Sequence, residues 1–135
     1  MKMKPELGIQ GNVADIFKWL TRRVGEERYQ IHIYLVGGDY TWKDPTWTDP
    51  PFDYQAWTDS IIFSPGDALD FNYDPTLFDV IQAGSAELYA KCSAEQNLGI
   101  FTSGDDEGIL TSPGTYYFFD AESCKRNMKF HVIVN

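Results

Sequence analysis

The stretch Gly114 to Lys129, GTYYFFDAESCKRNMK, with the run Phe130-His131-Val132-Ile133-Val134 that follows it, decides how this chain is read. Aromatic and β-branched residues fill both ends, and the middle is polar. It reads as an aromatic strand, a short turn that holds one cysteine, and a final strand entered through a methionine.

Working back from there, Ser60 to Phe63, Ser64-Pro65-Gly66-Asp67 and Ala68 to Tyr73 read as strand, turn and strand with alternating apolar residues. Gln30 to Val36 is a β-rich run ended by Gly37-Gly38. Leu98 to Thr102 and Glu107 to Thr111 read as strands around Ser103-Gly104-Asp105-Asp106, and Ser85 to Lys91 as a helical turn. The acids of that turn invite a calcium reading, but EF-hand spacing is absent, and a solvated turn is the expectation. Residues Asp39 to Trp57, with their Asp-Pro and Pro-Pro steps, are expected to form a long loop, because proline cannot donate to a ladder.

The first 28 residues have a different period. Val13, Ile16, Phe17, Leu20 and Val24 recur at steps of three and four, with Asn12 as cap, Asp15 in the first turn and Gly25 beyond the end. This predicts an amphipathic helix over about 12 to 24, with Lys18, Arg22 and Arg23 off its apolar stripe. The division expected is an N-terminal extension, 1–28, and one β domain, 29–135; the 135 residues are one domain's worth.

The formal charge is −9, and its distribution decides which partners are plausible. Residues 1–28 carry six Lys/Arg and four Asp/Glu, whereas 29–135 carry five and sixteen. An acidic body repels phosphate backbones, so no nucleic-acid partner is expected. Membrane contact is expected only through the basic helix, since no segment is long and apolar enough to span.

The terminal stretch closely resembles the copper loop of the phytocyanins, the plant cupredoxin family, whose pattern is Gly-Thr-Tyr-Tyr-Phe-x-Cys, a short turn, His-Cys, three residues, then Met or Gln. In this chain Asp120 stands where that family has its ligand cysteine, Ser123 where it has its second histidine, Cys124 at its disulfide cysteine and Met128 at its axial ligand. The turn from Asp120 to Cys124 is two residues shorter than usual. Leu77-Phe78-Asp79-Val80 resembles the family's His-Asp-Val, so Phe78 takes the place of the first histidine. The Val-Gly-Gly turn at 36–38, the Phe63 to Tyr73 motif and Tyr89-x-x-Cys92 match in order, and the likeness covers Tyr29 to Val134. It implies an all-β, cupredoxin-like Greek-key sandwich of two antiparallel sheets with an added N-terminal helix. A type 1 copper site needs a thiolate and two imidazoles beside a weak thioether. Of those donors only Met128 survives, so no copper and no other cofactor is expected. Phe78 should fill the metal's volume, and Asp120 should accept hydrogen bonds from amides near Glu122 to Cys124.

The same resemblance implies a Cys92–Cys124 disulfide, which would close a loop worth about 3.7 kcal/mol in the chain-entropy model. Two unpaired buried thiols are the alternative from the residues alone. A disulfide implies an oxidising compartment, and the family implies an extracellular or cell-surface location. Met1 to Arg28 shows no secretory signal, and no proline-rich stalk or anchor tail follows the last strand.

In the proline-rich loop Trp42, Tyr54 and Trp57 match family positions that pack against the sandwich, whereas Trp47 and Phe52 have no such match. Trp47, Phe52 and Tyr54 are the candidate ligand-facing set, with aromatics among Asp and Thr suited to sugar faces. His32 and His131 are read as ordinary strand histidines. The leading expectation is a non-copper, early-nodulin-like binding or interaction module for a glycan or protein partner. The alternatives are a subunit docked through its N-terminal helix, and a repurposed pocket with acid-base chemistry at Asp120. No enzyme is expected, because Ser123 has no histidine nearby in sequence to activate it.

Overall fold

The computed structural model describes Lys2, Met3 and residues 31–135. The helix expected over 12 to 24 lies outside the described residues. Among those described, strands β1 (Lys2–Met3), β2 (Ile33–Leu35), β3 (Ala68–Asn72) and β6 (Asp105–Ile109) form one sheet in the order β1-β6-β3-β2. Strands β4 (Val80–Gln82), β5 (Gly99–Phe101), β7 (Gly114–Phe119) and β8 (Lys129–Val134) form the other, in the order β5-β4-β7-β8. The chain steps between the sheets after β3, β5 and β6, giving the Greek-key sandwich that the terminal stretch suggested.

Period-2 patterning explains why the sheets face each other. In β7 Tyr116 and Phe118 turn inward, and in β8 Phe130, Val132 and Val134 do, with Phe118 opposite Phe130 and Tyr116 opposite Val132. Trp42 sits at the centre of the core. Its ring meets Tyr54, Phe71 and Phe130 edge-on at 4.9, 5.4 and 5.8 Å, and its indole N–H donates to the Asp79 carbonyl at 2.8 Å. A buried indole needs that acceptor, since an orphaned donor would cancel part of what the packing contributes.

Three local expectations are corrected. β2 and β3 run parallel, Ile33 beside Ala68 and Leu35 beside Asp70, where a purely antiparallel pair of sheets was the reading. The intervening segment is long enough to cross to the second sheet, touch Val134 through Phe63, and return in the same direction. Ser60 to Phe63 is not a strand. A helix, α1 (Tyr54–Asp59), capped by the Asp53 carboxylate on the Ala56 amide at 2.9 Å, occupies the end of the expected loop, and its last turn still holds Ser60 and Ile61. Only Phe63 bridges to β8, and Ile62 is 82% exposed. Finally, the acids expected in a solvated turn at Ser103 to Asp106 reach into β6: Asp106 is its second residue, is buried, and accepts from the Tyr73 hydroxyl and from Ser103 Oγ. A second short helix, α2 (Ala86–Ala90), forms where a helical turn was expected.

Asp70 in β3 gives the sheet a pH dependence. Its Oδ2 accepts from Asn72 at 3.3 Å, while its buried Oδ1 has no hydrogen-bond partner. Burial, followed by the neighbouring Asp105 and Glu107 carboxylates, pushes its pKa up from 3.8 to about 7. The folded protein therefore holds a proton that the unfolded chain releases between those values, so stability falls as pH rises through that window. Asp70→Asn is expected to match the parent at pH 4 and to exceed it by about 1–2 kcal/mol at pH 8, a figure reduced for solvent screening at a partly exposed site. Urea unfolding at the two pH values checks this, and equal gaps at both would refute it.

Candidate functional site at the pole of the sandwich

The end of the sandwich where β7 turns into β8 is built around Asp120, which is 1% exposed. Its Oδ1 accepts from the Asp79 amide at 2.9 Å, and its Oδ2 from the Glu122 and Ser123 amides at 3.1 and 2.8 Å. Asp79 returns the contact through Oδ1, which accepts from the Ala121 amide at 2.9 Å. Two carboxylates thus clasp the β3–β4 connection to the last loop. Burial, and then the nearby Asp120 charge, pushes the Asp79 carboxyl up, although the Ala121 amide opposes this.

The rest of the loop is fixed from the side. Ser123 is buried, and its hydroxyl accepts from Arg126 Nη2 at 2.8 Å. Arg126 Nε donates to Asp44 Oδ2 at 2.9 Å, and Asp44 also accepts from Thr46 N and Oγ1 at 2.9 and 2.7 Å. Burial would raise the Asp44 carboxyl, but those bonds outweigh it and hold it below the usual carboxylate range. A 3₁₀ turn, Cys124–Arg126, ends at Asn127 in the left-handed region (φ 71°) and returns the chain to Met128. Met128 is fully buried and Phe78 nearly so, its outer side leaning on Trp47 at 5.5 Å between centroids.

The donors at this pole do not fit type 1 copper. Phe78 offers no lone pair, the Asp120 oxygens are taken by three amides, and the Ser123 hydroxyl is held by Arg126. Cys124 is bonded to Cys92 at 2.04 Å, so its sulfur is no thiolate. His32 lies beside Asp67 at 3.6 Å and His131 on the outer face of β8. Met128 is the one soft donor left. Among the described residues no group of three or more His, Cys, Asp or Glu is placed to hold a metal ion.

The disulfide ties the end of α2 to this loop, as the resemblance implied, and packs with Ile81, Phe119 and Tyr89 on the outer face of the second sheet. Of the candidate ligand-facing residues, Trp47 is 57% exposed. Phe52 is half-buried and stacked on Tyr40 at 4.6 Å. Tyr54 takes the packing position that the resemblance implied and is corrected only as a ligand-facing residue: it is 1% exposed, because it opens α1 against Trp42 and its hydroxyl donates to Thr41 O at 2.6 Å and accepts from the Lys43 amide at 2.9 Å.

Beside the pole lies a cleft of about 630 Å³ that sequence reasoning missed, lined by Thr46, Pro51, Phe52, Asp53 and Gln55 on one side and by Tyr89, Arg126, Asn127, Lys129 and His131 on the other. Gln55 holds its floor: its Oε1 accepts from the His131 amide at 2.9 Å and its Nε2 donates to the His131 carbonyl at 3.3 Å, closing an otherwise open strand edge. The one legible signal was the i, i+2 spacing of Lys129 and His131 in β8, which puts both on the same face.

A plastocyanin-like domain family model matches residues 47–128. Early nodulin-like protein 2 of Arabidopsis thaliana is 30% identical over 103 residues, covering 75% of this chain and 28% of that protein. Early nodulin-like protein 11 of the same plant is 32% identical over 109 residues, covering 78% of this chain and 51% of that protein. The chain thus spans about half or less of these curated relatives. Cucumber basic protein, a blue copper protein, superposes with a TM-score of 0.65 at 26% identity, covering 76% of this chain and 99% of its own. The chain belongs to the plastocyanin-like domain family, the phytocyanins, and shares their cupredoxin fold.

Proposed function

We propose that this domain is a phytocyanin that has given up the copper site and works as a binding module for a glycan or protein partner, not as an electron carrier. The observation that carries this is the bonding of Asp120, whose oxygens face backbone amides at the position where the family has its ligand sulfur. A residue so engaged serves the loop's shape, and Phe78 fills the space beside it. Exposed Trp47 and half-buried Phe52 supply the face for the partner. The disulfide and the family support an extracellular or cell-surface location. Among the described residues no helix is long and apolar enough to cross a membrane.

Acid-base catalysis at Asp120 is disfavoured by the same bonds, which leave its carboxylate no approach for a substrate proton. The test is a titration of folded protein with Cu(II), followed by visible absorption, beside glycan-array and partner capture with Trp47→Ala. No intense blue band is expected, and the variant should lose capture while keeping stability within about 0.5 kcal/mol, as surface substitutions do. A stoichiometric blue band would overturn the reading.

A further inference from the structure

We infer that the cleft between α1, α2 and β8 is a binding site for an aromatic carboxylate, which rests on reading the domain as a binding module and goes beyond it by naming a ligand class. Residues 29–135 carry sixteen acids against five Lys/Arg, yet two of those five, Arg126 and Lys129, line this one cleft together with His131. Asp53 is the only carboxylate in the lining, and it is occupied as the cap of α1, accepting from the Ala56 amide at 2.9 Å. Arg126 is balanced by Asp44. Lys129 differs: its ammonium lies 4.7 Å from the centre of the Tyr89 ring, and among the described residues no carboxylate pairs with it.

An uncompensated ammonium in an acidic domain, held over an aromatic ring at the mouth of a cleft, attracts an anion of matching size. The remaining wall is apolar: Pro51, Phe52 and the Tyr89 ring. Tyr40 covers one face of Phe52 and Lys129 one face of the Tyr89 ring, which reduces the open ring surface on which a sugar could lie. The ring edges receive another aromatic ring edge-to-face. A flat ring fits the wall while its carboxylate meets Lys129. Salt should weaken such binding, because one side of the cleft is open to solvent.

The experiment is an amide-resolved NMR titration of the full chain with sodium benzoate, benzamide and sodium glucuronate, in low and high salt. Benzoate is expected to shift the amides of Asn127, Lys129 and His131 with a Kd on the order of 1 mM, a magnitude in keeping with so small a ligand. Lys129→Met should weaken it about tenfold, with Lys125→Met, outside the lining, unchanged and circular dichroism confirming that both variants are folded. Benzamide binding as tightly as benzoate, glucuronate binding more tightly, or an unaltered Kd in Lys129→Met would each overturn the assignment. Because Trp47 is outside the lining and copper plays no part, these outcomes are separable from the partner-capture and copper tests of the module reading.

Discussion

Asp120→Ala is expected to destabilise the domain by about 3–5 kcal/mol. The carboxylate serves three amides, those of Asp79, Glu122 and Ser123, and the side chain is buried. Each buried amide left without an acceptor costs about 1–3 kcal/mol, while the exposed turn at Glu122 can recover a water partner, so the sum is taken below three full penalties. Ser123→Ala removes one hydroxyl contact to Arg126 and should cost about 1 kcal/mol or less, which sets the scale for an ordinary loop contact. Asp120→Asn should fall between, because its amide NH₂ confronts one of the donors. Denaturant unfolding of the three variants checks the order, and amide exchange at Asp79 and Ser123 should accelerate most in Asp120→Ala. A loss under about 1 kcal/mol would mean the clasp is not what holds the pole together.

Removing the disulfide is expected to have the second large effect. Joint Cys92→Ala and Cys124→Ala frees a segment of 32 residues' separation, for which the chain-entropy model gives about 3.7 kcal/mol. Both ends are also structural: Cys124 is fully buried against Phe119 and Ile81. Chemical reduction should therefore lower the urea midpoint of the parent and leave the double variant unmoved. If reduction changes nothing in the parent, the bridge contributes no stability and the argument for an oxidising compartment loses its physical basis.

How much was legible can be judged residue by residue. The β7–turn–β8 stretch was read correctly because its pattern is strong and local: Tyr116, Phe118, Phe130 and Val132 alternate, and the polar residues between them cannot continue a ladder. Bonding of Asp120 to loop amides was also legible, since a carboxylate two and three residues before free N–H groups has short-range partners. Its third partner, the Asp79 amide 41 residues away, was not, nor was the reciprocal bond from Asp79 to Ala121. Tyr54 was rightly matched to a packing position but wrongly set among the ligand-facing residues, because two prolines upstream hid a helix whose cap, Asp53, was in view. Ser60 to Phe63 looked like a strand for the converse reason: its apolar residues promise a ladder, and only the position of α1 shows there is no length left for one.

By itself, then, the sequence carried the strand and turn pattern, and through its resemblance to the phytocyanins it carried the sandwich and the identity of the residues at its pole, because motif matches depend on residue type and short-range order. Tertiary structure alone decided which carboxylate holds which loop, that β2 lies parallel to β3, and that Lys129 stands, among the described residues, without a counter-charge in a cleft shared by two helices and a strand. Those depend on groups brought together from distant parts of the chain, where a contact's strength is set by burial and geometry that no local pattern records.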